Sequence, residues 1–318
     1  MAEKTQFKTS IGGSALIEGI MMRGPKRTTV AVRKPDKSIY TEDIKFNDLG
    51  SKSKILKWPF VRGFVTLIDS MRLSMKCLML SAEKSVEGTE EEAEEPSKFE
   101  KWLEEKLGDK LFGVVMTLAS ILGVLLAVLL FFALPTFIFN NLAKVVPALD
   151  KGTVWRSAFE GILKIIIFLG YIVVISRTPD MKRVFMYHGA EHKTIFCYEN
   201  NEDLTVENVR KYKRFHPRCG TSFMIIMLLV GIIVGLFITA KNPLLRTAIK
   251  LLLLPISCGI GYELIKLCAK YDNAFTRIIA APGIAAQHIT TIEPDDDMIE
   301  IAIAAIKPVI PENGEDRI

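Results

Sequence analysis

Leu111 to Phe139 contains no charged residue. A stretch of about 20 apolar residues already suffices to cross a bilayer. That segment restricts the chain to folds in which a long helix is surrounded by lipid or by other apolar helices. Thr221 to Ala240 is a second uncharged stretch of spanning length. Phe159 to Ile175 is shorter and carries Glu160 and Lys164, while Ile249 to Ile265 is interrupted by Pro255 and carries Glu263. Four spans are expected. Glu160 with Lys164, and Glu263 with Lys266, are expected to neutralise each other near span ends, since intramembrane charge is costly.

Lysine and arginine placement orients the spans. Residues 1–110 carry 20 of them and 176–220 carry 9, whereas 135–158 and 241–250 carry 3 each. The excess puts the N-terminal region, the 176–220 loop and the C-terminal tail in the cytosol. The polar start MAEKTQFKTS is not followed by an apolar h-region within 30 residues, so no cleavable signal peptide is expected. Five cysteines form no disulfide framework, and thiols on the cytosolic side stay reduced. A net charge of +5 suits anionic lipid head groups. The chain carries no zinc-finger, RNA-binding or basic-helix signature, so no nucleic-acid partner is expected.

The chain divides into a cytosolic N-terminal region (1–82), an acidic linker (83–110), a four-span region (111–267) and a cytosolic C-terminal region (268–318). In the first, Gly12-Gly13 and Gly19 bracket a short apolar run. Thr28–Arg33 and Ile39–Phe46 alternate around the turn residues Pro35-Asp36-Lys37-Ser38, the pattern of a β-hairpin. Residues 61–82 have helical amphipathic spacing, suited to lying on a membrane or to packing in a domain. Thr178-Pro179-Asp180 starts a helix to about Tyr198, and Thr205 starts another through Phe215. Residues 280–294 (AAPGIAAQHITTIEP) read as a shaped loop, Asp295–Asp297 as the cap of a last helix, and PENGEDRI as a frayed tail. The expected fold is mainly α: a membrane protein of about four transmembrane helices with a cytosolic α+β portion containing an N-terminal β-hairpin.

Three of the four histidines lie in two short runs, Tyr187-His188-Gly189-Ala190-Glu191-His192 and His216-Pro217-Arg218-Cys219-Gly220. His188 and His192 are four apart, on one face of a helix. His216-x-x-Cys219 has a usual metal-ligand spacing, and Arg218 beside Cys219 favours thiolate. Together His188, His192, His216 and Cys219 are a four-ligand set for a divalent metal, expected to be zinc. Four ligands make a closed structural site. Three would leave an open position, with Glu191 as the catalytic general base. His-x-x-Glu-His is also the inverzincin protease string, but no third ligand stands at a secure spacing. No Gly-Lys-Ser/Thr phosphate loop is present.

GGSALIEGIMMRGP, YHGAEHKTIFCYE, HPRCGTSF, GYELIK and APGIAAQHITTIEP occur in this order. Together they resemble the YqhQ-like family of bacterial membrane proteins, over about residues 10–310. The resemblance implies a bacterial plasma-membrane location and, from the family's description as predicted metal-dependent enzymes, a metal role for His188, His192, His216 and Cys219. Two functions are carried forward. One is a metal-dependent hydrolase of unknown substrate at the cytosolic face. The other is a non-enzymatic membrane factor that assists protein insertion, translocation or complex assembly, with membrane proteins or translocation machinery as partners. Few central polar groups count against a small-solute transporter. An oligomer is compatible with each reading.

Overall fold

The protein is described here by a computed structural model covering residues 7–51, 53, 55–59, 61–88, 111–149, 152–271 and 273–317. The chain forms two compact units. Met1–Glu87, Leu169–Val234 and Leu253–Ile318 make the first; Gly88–Phe168 and Gly235–Leu252 make the second. Residues 89–110 of the expected acidic linker lie outside the described residues.

The first unit is built on an antiparallel meander of β1 (Gly12–Leu16), β2 (Gly19–Arg23), β3 (Thr28–Arg33) and β4 (Ile39–Asp43), in that spatial order. The expected hairpin is β3–β4, with Val30 opposite Glu42. Two further strands, β1 and β2, extend that hairpin to a four-stranded sheet. β1 has no strand signal in the sequence, because Gly12, Gly13, Ser14 and Ala15 give almost no hydrophobic alternation. Leu16 pairs with Gly19, so Ile17 and Glu18 alone make the first turn, with Glu18 in the left-handed region at φ 49°. That conformation is held in place: the Glu18 carboxylate pairs with Arg183 and accepts the Tyr187 hydroxyl at 3.1 Å.

Strand alternation sorts the sheet into two faces. Ile20, Met22 and Ala31 pack with Tyr187, Ala190, Ile299 and Ile301. Met21, Val30 and Val32 pack with Leu73 and Cys77. The first layer is supplied by α5 (Pro179–Glu199) and α11 (Asp296–Ile306), the second by α1 (Val61–Val86). Each Ile or Met removed fully from water contributes about 1.5–3 kcal/mol, so α11, whose Met298, Ile299, Ile301 and Ile306 are all buried, is a principal anchor of the sheet.

The lower part of α1 packs against α9 (Leu254–Lys270), where a Cβ on Gly63 would lie 2.6 Å from Tyr262 Cβ. α1 is therefore a packing helix, although Met71, Met75, Leu78 and Met79 remain exposed. Arg62 grips Glu263 with two bonds of 2.7 and 2.6 Å, so Glu263 is paired with Arg62 rather than Lys266. Of residues 280–294, expected as a loop, only 291–294 are one; 280–290 belong to α10 (Ala274–Thr290), a helix with Pro282 inside it. Pro and Gly masked the helical period there. Gly283 is needed for contact, since its Cβ would meet Ser222 Cα at 2.6 Å. α6 (Val206–Arg210) is shorter than expected. The tail is tied rather than frayed: Asp316 is buried, and its carbonyl accepts the Ser10 N–H at 2.6 Å.

The second unit comprises α2 (Leu111–Val128), a π-helical turn (Leu129–Ala133), α3 (Leu134–Val145), most of α4 (Thr153–Ile175) and α8 (Pro243–Leu252). Two helical stretches, Thr117–Val145 and Thr153–Ile175, are long and apolar enough to cross a membrane. α8 and α9 make a third if the pair, broken at Leu253, counts as one span. α7 (Gly220–Gly235) is apolar but has 16 residues, about 24 Å of helix, short of a bilayer's hydrocarbon core. Among the described residues two or three helices are thus long and apolar enough to span, against the four expected. Glu160 pairs with Arg156, Arg246 and Lys250, not with Lys164 as expected.

Candidate functional site

Three of the four expected ligands converge. The donor atoms of His188, His192 and Cys219 all lie within 4.8 Å of one another. His188 and His192 are brought together by one turn of α5, with ring centroids 4.4 Å apart. Cys219 arrives on the turn leading into α7, and its Sγ lies 3.2 Å from His188 Nε2.

Backbone carbonyls set the tautomers. His188 Nδ1–H donates to Thr290 O at 2.9 Å, and His192 Nδ1–H donates to Arg214 O at 2.5 Å. A carbonyl only accepts, so each neutral ring carries its proton on Nδ1 and presents a bare Nε2. His192 Nε2 is buried without a hydrogen-bond partner among the described residues. An orphaned buried acceptor costs about 1–3 kcal/mol, which makes this atom the least satisfied point of the cluster.

Charge follows the geometry. Burial alone would raise the Cys219 thiol, but the imidazoles of His188 and His192 outweigh it and hold the pKa well below the usual thiol value. Burial would likewise depress His188, yet the Cys219 sulfur beside it raises the pKa to about 9. Both shifts favour the Cys219 thiolate, the form in which cysteine ligates metal or attacks an electrophile.

Glu191, expected as the general base, is buried beside this group. Burial raises its carboxyl pKa above the ordinary value, against the pull of His192 and His188 and a bond from the Gly13 N–H. A Cβ on Gly13 would lie 3.0 Å from the Glu191 carboxyl carbon, so glycine there lets β1 close over the site. A cavity of about 370 Å³ adjoins, lined among others by Gly13, His188, Glu191, His192, Cys219 and Tyr262.

His216, the fourth expected ligand, stands apart from the three. Its Nδ1 lies 3.3 Å from the Arg218 backbone N–H, and its Nε2 lies 3.3 Å from Arg218 Nη2 and 3.9 Å from a Glu199 oxygen. Gln287 holds its backbone, accepting the His216 N–H at 2.7 Å and donating to His216 O at 2.8 Å. Glu199 also accepts the Thr9 N–H at 2.8 Å and pairs with Arg218. This network fastens the N-terminal strand to α5 and to the Cys219 turn. His288 is outside the group, stacked on Phe215 at 4.3 Å. Thr290 O, Arg214 O and Gly13 N had no sequence signal, because any residue can supply a backbone carbonyl or N–H. Arg218 and Glu199 had one: an arginine next to the cysteine and a glutamate one helical repeat beyond His192.

Acid should weaken this network. Burial depresses His216 from 6.5 to about 4, the Arg218 charge adding to it against the Glu199 contact. Its contribution is fully present above pH 6.5 and is lost as pH falls towards 4, because the unfolded chain takes the proton first. That amounts to about 3 kcal/mol. Glu199, whose pKa is lowered by His216 and Arg218 despite burial, loses its share at still lower pH. The difference in stability between wild type and His216→Gln, measured by denaturant unfolding from pH 7 to 4, is expected to shrink steadily. A pH-independent difference would contradict the buried neutral ring.

Comparison with known proteins agrees with the motif pattern. The family model described as a protein of unknown function (DUF1385) matches residues 58–312. The uncharacterised protein YqhQ of Bacillus subtilis (strain 168) is 32% identical over 308 residues, covering 96% of this chain and 94% of that protein. No solved structure matches. The chain belongs to the YqhQ-like, DUF1385 family.

Proposed function

We propose that this protein is a membrane-bound, metal-dependent hydrolase whose site faces the cytosol. The observation that carries the reading is the convergence within 4.8 Å of one donor atom each from His188, His192 and Cys219, with His192 Nε2 lacking a hydrogen-bond partner among the described residues. Two imidazoles and a thiolate are a donor set for zinc. Tetrahedral zinc with bonds of about 2.0–2.3 Å needs donors roughly 3.3–3.8 Å apart, a small adjustment from the arrangement present. The Nδ1–carbonyl bonds are the outer contacts that such histidines use to fix their tautomer.

A divalent ion held there supplies Lewis acidity beside the 370 Å³ cavity. Three protein ligands, rather than four, leave a position open to that cavity, which favours catalysis over a purely structural site. Glu191, with its raised carboxyl pKa, takes and returns a proton at the cavity wall. Membrane placement rests on the two apolar helices and their exposed Leu118, Leu122, Leu126 and Leu129, which lipid would cover. The lysine and arginine bias favours a cytosolic side for both termini and the 176–220 segment.

Metal analysis of the detergent-purified full chain tests this. About one zinc per chain is expected. Occupancy should fall at least about tenfold in His192→Ala and in Cys219→Ser, and persist in His216→Gln. If His216→Gln loses metal as fully, the site is a closed four-ligand one and the catalytic reading fails. Wild-type protein that is metal-free, with a thiol alkylated rapidly at mildly acidic pH, would make Cys219 and His188 a nucleophile pair instead. On arrays of ester, amide and phosphoester substrates, Glu191→Gln is expected to keep zinc and lose turnover by about 10²–10⁴-fold. Unfolding of the first unit on chelation, with no turnover on any array, would favour the non-enzymatic membrane factor.

A further inference from the structure

A second cavity of the first unit, about 590 Å³ in volume, is not used by the candidate site. His216 and Arg218 line both this cavity and the 370 Å³ one, so the two lie on either side of a shared wall. Its volume falls within the range of about 300–1,000 Å³ usual for small-molecule sites. One side is a face of α10, where Ala280, Ala281, Ile284 and Ala285 recur at helical spacing. Phe196 of α5 and Pro217 add carbon from two other parts of the chain. Most of what an occupant would touch here is apolar, so an apolar ligand portion gains by leaving water.

Two lysines far apart in sequence, Lys8 and Lys213, line the same cavity. Lys8 Nζ donates to Ala269 O at 2.8 Å. A carbonyl holds an ammonium in place without neutralising it, and an ammonium has three donors. Lys213 is exposed and makes no hydrogen bond or ion pair among the described residues. The carboxylate among the described lining residues is Glu199, and it is engaged by Arg218 and by the Thr9 N–H. Neither lysine therefore draws on it. An acidic group with two or three oxygens offers both ammoniums a charged acceptor that the wall does not supply. Carbon walls together with two such ammoniums suit a ligand that is apolar along its length and anionic at one end.

We infer that this cavity binds a single-chain amphiphile, with its anionic head met by Lys8 and Lys213 and its apolar chain laid against α10. The head is a carboxylate, as in a fatty acid, or a phosphate, as in a lipid monophosphate. The inference does not depend on metal binding at His188, His192 and Cys219.

Titration calorimetry on the full chain in a neutral detergent tests it. The probes are octanoate and octyl phosphate, with octanol as the reference without a charged head and inorganic phosphate as the reference without a chain. Saturable binding of about one molecule per chain is expected for octanoate, for octyl phosphate or for both. Binding of octanoate alone assigns a carboxylate head, and binding of octyl phosphate alone assigns a phosphate head. Affinity should exceed that of either reference at least about tenfold. Lys213→Gln should weaken binding at least about threefold, and Ala281→Trp, which fills the cavity, at least about tenfold. Lys213 is exposed, so Lys213→Gln keeps the test decisive if Ala281→Trp does not fold. No saturable binding of either probe, equally tight binding of octanol or of inorganic phosphate, or undiminished binding in either folded variant overturns the proposal.

Discussion

Replacing Gly189 by alanine is expected to destabilise the first unit by about 3 kcal/mol or more and to disrupt the His188–His192–Cys219 cluster. A Cβ at this position would lie 2.1 Å from the Ile292 carbonyl oxygen and 3.3 Å from its carbon. Backbone is the obstacle, so no rotamer change relieves the clash. The 291–294 segment must move away from α5, breaking the 2.9 Å bond from Ile292 N to Phe185 O. Thr290, two residues earlier, supplies the carbonyl that fixes His188, so the same shift loosens that histidine. Thermal unfolding should show a lower transition, and any bound metal should be lost more readily to a chelator. Gly220→Ala is the matched control beside Cys219, since its Cβ would meet nothing within 4 Å. An effect there within about 0.5 kcal/mol, against a large one at Gly189, would assign the loss to the contact and not to glycine removal as such. Equal effects would count against the packing argument.

The second large effect is expected at Arg218. Its side chain pairs with Glu199 and donates to Thr9 O at 2.9 Å, linking three distant parts of the chain. Glu199 is 1% exposed, so Arg218→Met leaves a carboxylate out of water with its charge partner gone. Breaking a buried pair in this way costs about 3–5 kcal/mol. Adding Glu199→Gln should recover part of the loss, because the amide keeps an acceptor for the Thr9 N–H without a charge to strand. A double-mutant cycle by denaturant unfolding measures the coupling. Strict additivity of the two changes would show that the pair does not act as a unit.

These two positions show how differently the residues declared themselves. Arg218 was visible beside Cys219 as a charge favouring thiolate, and the structure adds its pairing with Glu199. Gly189 was only a small residue between two histidines. Its role depends on Ile292, a hundred positions away, and nothing local announces that approach. His216 is the reverse case. Its spacing to Cys219 is right for a ligand, but Arg218, Glu199 and Gln287 occupy its polar groups.

Local chemistry along the chain was enough to determine the long apolar helices, the start of α5 at Thr178-Pro179-Asp180, the β3–β4 hairpin and the start of the last helix at Asp295, although Asp295 makes no side-chain capping bond. Each rests on hydrophobic periodicity, turn residues or caps within a few positions, and those forces act before distant segments meet. It was also enough to nominate His188, His192, Cys219 and Glu191, since their residue types and helical spacing limit their chemistry. Only tertiary structure decided that His216 stays outside the three-donor group, that Glu160 gathers Arg156, Arg246 and Lys250, and that backbone carbonyls at Thr290 and Arg214 aim the imidazoles. Those outcomes come from competition among partners remote in sequence for the same buried polar atoms. Side-chain identity sets what a group is able to bond, while the packed fold sets which partner reaches it.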